Sequence, residues 1–209
     1  MNGVDDLYIP DFDIGKFKES IGVSKDKKVI LAVSRLVKWK RVDRIINAIP
    51  LVISKYNNVI FMIVGDGDDK AYLENLVEKL NIKDYVKFIG AVPHNEVKYY
   101  MNAADIFIST NDLSNVSNSL LEAMKCGKCV VTLNTGETSE IIKNNENGIL
   151  LDVNYINNLP NVIIQLLNDE KLRNKLGRNA RKYALENFLT WDQRIKMEIK
   201  FIEELCLKK

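Results

Sequence analysis

One histidine, His94, and three cysteines are all that these 209 residues offer to imidazole or thiol chemistry. Three thiols cannot all pair with one another, so a reducing compartment is the default expectation. Two of them sit in an isolated Cys126-Gly127-Lys128-Cys129 spacing with no second pair and no nearby histidine, which argues against zinc. That spacing follows a helical pattern rather than opening one, which argues against a redox dithiol, so both thiols are expected to be buried and inert. His94 has no serine, cysteine or carboxylate neighbour arranged for nucleophilic catalysis, and it is read as structural or exposed. No window approaches the ~18 uninterrupted apolar residues of a membrane-spanning helix. The opening MNGVDDLYIPDFD is acidic and unlike a secretory leader. Neither sign of charge prevails: 30 Lys and Arg against 28 Asp and Glu leave +2, too little to argue for a nucleic-acid partner. Repeats, low-complexity tracts and long linkers are also missing. The expected compartment is the cytoplasm, in solution or peripheral at a membrane.

What remains is ordinary globular material, 46% hydrophobic and 28% charged, long enough to bury a real core. Apolar runs at 28–34, 59–65, 86–90, 105–110, 129–134 and 148–152 are hydrophobic on both faces, which suits strands buried in a parallel sheet. Helical patterns at 42–54, 70–80, 95–103, 117–125 and 138–144 alternate with them, which predicts βαβ units with right-handed crossovers. From Tyr155 onward the pattern is helical only, broken near 168–169 and 188–190, with Thr190 and Asp192 as candidate caps of the last helix and Trp191 as its anchor. The fold class predicted is α/β, a doubly wound, Rossmann-like parallel sheet with C-terminal helices.

Two constellations suit anion and sugar chemistry. Ser34-Arg35-Leu36-Val37-Lys38-Trp39-Lys40-Arg41 lies where the first strong strand ends and its helix begins. Cations at a helix N-terminus oppose the macrodipole, so their presence points to a bound anion, the alternative being a solvated basic loop. The second runs from 109 to 142: strand, polar loop, and a helix bearing Glu122 among Leu120, Leu121, Ala123 and Met124. A carboxylate in such company is costly unless something hydrogen-bonds it. Ser114, Asn115, Ser117, Asn118 and Ser119 offer small polar groups and backbone amides able to hold a phosphate, while Glu122 could accept two ribose hydroxyls. Gly65-Asp66-Gly67-Asp68-Asp69 could hold a hard cation through Asp66 and Asp68. It reads better as a strand-to-helix turn, glycine supplying positive φ and aspartate capping the helix.

In this order the blocks resemble the C-terminal, donor-binding domain of a retaining glycosyltransferase of the group 1 family (family 4), one half of a GT-B fold. The resemblance is carried by Asn2-Gly3-Val4-Asp5, Ser34-Arg35-Leu36 with Lys40, Val64-Gly65-Asp66-Gly67, Phe88-Ile89-Gly90 and Ala104-Asp105-Ile106-Phe107. Its most diagnostic segment is Leu121-Glu122-Ala123-Met124 with Gly127, Val130-Val131 and the stretch from Gly136 to Glu140. It implies a single donor domain over 1–209, with 1–20 resembling the interdomain linker, 190–207 a C-terminal crossover helix, and the N-terminal acceptor domain absent from the chain. It further implies a hexosyltransferase that moves a sugar from a UDP- or GDP-linked donor to a carbohydrate or lipid-linked acceptor, with no metal and no other cofactor. The implied catalytic residues are Arg35 and Lys40 on the donor diphosphate and Glu122 on the ribose. Gly65, Ala91 and Val92 (the last two at the base), Ser114, Ser117, Asn118 and Ser119 complete the donor contacts.

One departure concerns Ser114, which stands where the family usually has a second, sugar-facing glutamate; Asp112 is the nearest carboxylate that could substitute. The other is length, since the acceptor half would come from a missing N-terminal domain or a partner chain. Alone, the chain is expected to bind donor but transfer poorly, and the final helix is expected to leave apolar surface exposed. Two other readings stay open: a non-catalytic nucleotide-sugar-binding subunit, and half of a GT-B-like sugar-nucleotide epimerase.

Overall fold

Six runs that are hydrophobic on both sides become six parallel strands because only a doubly covered sheet hides both faces from water. The computed structural model describes residues 3–113 and 116–207. The strands are β1 (Lys28–Val33), β2 (Val59–Val64), β3 (Val86–Gly90), β4 (Ile106–Ser109), β5 (Cys129–Leu133) and β6 (Ile149–Leu151). The α-helices are α1 (Ile14–Ser20), α2 (Val42–Lys55), α3 (Lys70–Lys79), α4 (His94–Ala103), α5 (Asn118–Lys125), α6 (Thr138–Ile141), α7 (Leu159–Asn168), α8 (Glu170–Asn187) and α9 (Trp191–Leu207). The sheet order is β3-β2-β1-β4-β5-β6, with every neighbouring pair parallel.

The pleat sends alternate side chains into two separate cores. Ile30 and Ala32 of β1 meet α2, α3 and α7 on one face, whereas Val29 and Leu31 meet α4 and α5 on the other. Helices α2 and α3 carry the chain outward from β1 to β3, and α4 brings it back across the opposite face to β4. The winding direction therefore reverses between β1 and β4, as the doubly wound prediction requires. Helix α7 returns to pack on α2, and α8 packs on α5 and β5.

Several boundaries moved for identifiable reasons. The pattern offered no helix before the first strand, yet α1 forms there, its N-terminus capped by Asp13, whose carboxylate accepts the Lys16 amide at 2.9 Å. The segment before α1, expected as linker, is pinned to the domain. The Asn102 side chain donates to Leu7 O and accepts from the Ile9 amide, the buried Lys125 ammonium donates to Val4 O, and Arg181 pairs with Asp6. Helix α6 ends at Ile141 rather than near 144, because the Asn147 side chain takes the Lys143 amide and Ile141 O and turns the chain. Asp105 falls outside β4, its carboxylate accepting from the Val29 amide and pairing with Lys28. Of the two candidate caps of α9, Thr190 serves: its hydroxyl accepts the Gln193 amide while the Gln193 side chain accepts the Thr190 amide. Asp192 instead pairs with Lys196 one turn on.

Candidate functional site

A reversal of winding leaves a crevice at the carboxyl ends of the two diverging strands, because their connections leave in opposite directions. A cavity of about 670 Å³ opens there, walled by the segments that follow β1, β2, β3 and β4. Arg35 and Lys40 come from the first, Gly65 from the second, Ala91 and Val92 from the third, and Ser117, Asn118, Ser119 and Glu122 from the fourth. The fold thus brings together residues separated by up to 87 positions, from Arg35 to Glu122. Ser114, and Asn115 beside it, lie outside the described residues.

The turn after β2, whose Gly65 lines the cavity, depends on two glycines. A Cβ on Gly65, at φ +136°, would stand 1.8 Å from Ser34 O, and one on Gly67, at φ +154°, would stand 2.4 Å from Leu36 O. The turn after β2 is pressed onto the turn after β1, and only glycine allows both the approach and the backbone angle. The Leu36 amide donates to Asp66 O and the Gly65 amide to Gly90 O, locking three strand-end turns together.

Asp66 belongs to this turn. Its carboxylate accepts the Gly67 amide at 2.8 Å and pairs with Lys70 at 3.3 Å, and these contacts, the amide first, hold its pKa below the ordinary aspartate value. Asp69 occupies the cap position of α3 without a side-chain bond, contrary to the expectation of a capping aspartate there. Among the described residues no group of three or more His, Cys, Asp or Glu side chains is placed to hold a metal ion.

The cations after β1 separate into two sets. Arg35 and Lys40 line the cavity. Lys40 is half-buried with its ammonium 4.2 Å from the Trp39 ring centroid; burial first, and then the charge of Arg35, depress its pKa. Arg41, grouped with them on sequence, adopts a left-handed backbone at φ 50° and turns its guanidinium to Asp43 and Asp112. Asp112 is consequently engaged, at 2.7 Å from Arg44 and 3.3 Å from Arg41, and does not line the cavity. It is not placed to replace the sugar-facing glutamate.

On the opposite side of the sheet order, α5 starts at a proper cap: Ser117 Oγ accepts the Leu120 amide. Every residue from Leu120 to Lys125 is buried, Glu122 included. Its carboxylate Oε1 lies 2.8 Å from His94 Nε2, and His94 is the first residue of α4 and also lines the cavity. His94 is exposed, as its reading from sequence allowed, but it has a carboxylate partner that the sequence did not reveal. The neighbour is 28 residues away, and no local spacing signals a contact made by a crossover helix. Trp39 was likewise given no role and stands in the cavity wall. The CxxC thiols are buried, and burial pushes both Cys126 and Cys129 up to about 12; Cys206 is exposed.

Sheet order and helix placement are those of the Rossmann-like half of a GT-B glycosyltransferase. The chain belongs to the family of glycosyl transferases group 1, whose model matches residues 13–183. It is 28% identical over 187 residues to N-acetyl-alpha-D-glucosaminyl L-malate synthase of Bacillus anthracis, covering 90% of this chain and 48% of that protein. It is 33% identical over 194 residues to an uncharacterized glycosyltransferase of Methanocaldococcus jannaschii, covering 92% of this chain and 49% of the relative. Among solved structures, Anabaena HepE in complex with UDP and glucose superimposes with a TM-score of 0.85 at 25% identity, over 96% of this chain and 55% of HepE. The chain spans about half the length of the curated relatives it matches. No helix among the described residues is long and apolar enough to cross a membrane.

Proposed function

We propose that this chain is the donor-binding half of a retaining hexosyltransferase that takes a sugar from a UDP- or GDP-linked donor to a carbohydrate or lipid-linked acceptor. The observation that carries the reading is one cavity, at the winding reversal, that gathers two cations from the turn after β1 and a buried carboxylate from α5. The UDP and glucose bound to HepE support it.

Arg35 and Lys40 hold the diphosphate and offset the charge that grows on the departing nucleotide as the glycosidic bond breaks. Backbone amides at 117–119, at the start of α5, face the phosphates along the helix dipole. Glu122 accepts the ribose hydroxyls, and the backbone at Ala91 and Val92 meets the base. With two protein cations at the phosphates, no metal is required. Transfer needs an acceptor held in register and water kept out, and both depend on a second wall from another domain or a partner chain. This chain by itself binds donor and transfers little or no sugar.

Calorimetry with UDP, GDP and ADP, with and without EDTA, on the wild type and on Arg35→Ala/Glu122→Ala, tests the assignment. Saturable, EDTA-insensitive binding of one nucleotide, lost in the double variant, is the expected result. Absence of binding by all three would overturn the donor-site reading. Binding abolished by EDTA would replace it with a metal-dependent one through Asp66 and Asp68.

A further inference from the structure

We infer that His94 is a positioning residue for nucleoside recognition: it holds the Glu122 carboxylate in the orientation that receives the ribose, and so ties ribose binding to the loop that meets the base. The inference rests on the reading of this cavity as a nucleotide site.

Glu122 is buried on α5, with its own helix neighbours on both sides apolar and buried. A buried carboxylate needs hydrogen-bond partners to stay ionised and to keep one rotamer. The partner present is His94 Nε2, 2.8 Å from Oε1. The two side chains differ in exposure, 65% for His94 and 9% for Glu122, so the imidazole reaches inward from the rim to a carboxylate that solvent hardly touches. An Nε2–H donated to Oε1 leaves that oxygen a second lone pair and leaves Oε2 whole, enough acceptors for two hydroxyls.

The position of His94 in the chain gives the contact its meaning. Pro93 fixes the backbone immediately before α4, and Ala91 and Val92, three and two residues before His94, line the same cavity. A single short segment therefore supplies backbone to the base and, through Glu122, orientation at the ribose. The alternative is that His94 occupies the ribose seat itself, in which case the nucleotide must displace it.

These two roles predict opposite signs, and calorimetry with UDP and with 2′,3′-dideoxy-UDP separates them. His94→Ala is expected to weaken UDP binding about two- to tenfold, the worth of one net hydrogen bond. The same variant should bind the dideoxy nucleotide as the wild type does, and His94→Gln, whose Nε2 can donate at similar reach, should restore UDP binding. Tighter UDP binding by His94→Ala would make His94 an occupant of the seat and overturn the proposal; an equal loss for both nucleotides would reduce it to a structural role. A nitrogen-correlated NMR spectrum needs no ligand, because the chain has one histidine. The Nε2 signal of the wild type should be that of a protonated nitrogen and should shift in Glu122→Gln. If the wild type binds none of UDP, GDP and ADP, the donor-site reading fails and takes the ribose role with it, while this spectrum still reports the His94–Glu122 bond. An Nε2 signal unmoved in Glu122→Gln would overturn the bond itself.

Discussion

Lys40 is one of the two cations that the proposed function assigns to the donor diphosphate, and it lines the cavity with Arg35. Burial and the nearby Arg35 charge hold its ammonium below the ordinary lysine value of 10.5. A lysine whose charged form is disfavoured in the free chain loses its proton earlier as pH rises, and a bound diphosphate restores it. Nucleoside diphosphate affinity should therefore fall as pH climbs toward that value, and binding in the same range should take up protons, visible as a buffer-dependent calorimetric enthalpy. Lys40→Arg, which keeps its charge throughout, should flatten the profile. Affinity constant to alkaline pH in the wild type would remove Lys40 from the diphosphate. At this scale, the burial of Glu122 was legible because Leu120, Leu121, Ala123 and Met124 surround it in sequence. Its partner His94 was not, because the contact is made across two helices. Arg41 was misgrouped with Lys40 for a similar reason: adjacency in sequence does not reveal that a left-handed residue aims its side chain elsewhere.

Between elements, a tight packing constraint falls where α8 crosses the end of α5. Gly127 terminates α5 in a left-handed conformation, with its amide on Met124 O and the Lys128 amide on Ala123 O. Gly177, inside α8, packs directly upon it: an added Cβ would stand 2.2 Å from Gly127 O. A glycine in a helix interior ordinarily costs stability, so sequence pattern marks Gly177 as a defect, whereas the packing makes it a requirement. Gly177→Ala should destabilise the fold by about 1–3 kcal/mol, the range for overpacking a tight contact. The test is a lower urea midpoint at unchanged slope; an unchanged or raised midpoint would show that α8 can move away without cost.

At the scale of the molecule, α9 stands apart. From Arg194 to Cys206 none of its residues is buried, and Ile195, Met197, Ile199, Phe201, Ile202 and Leu205 are all exposed. Exposed apolar residues in this density bind hydrophobic dyes and other surfaces. A chain ending at Gln193, which keeps the Thr190–Gln193 cap, should retain its thermal midpoint and lose most of its ANS fluorescence. A markedly lower midpoint would mean that α9 supports the domain after all.

Hydrophobic period and turn chemistry, which act over a few residues, were enough to announce six parallel strands, the helices between them and a doubly wound sheet, although β3 at the edge is only half-buried. They act locally and so are written locally. Register, the order β3-β2-β1-β4-β5-β6, and the meeting of Arg35, Lys40, His94 and Glu122 around one cavity came only from packing. Those contacts join residues far apart in the chain, held by two cores that no single segment can bury alone.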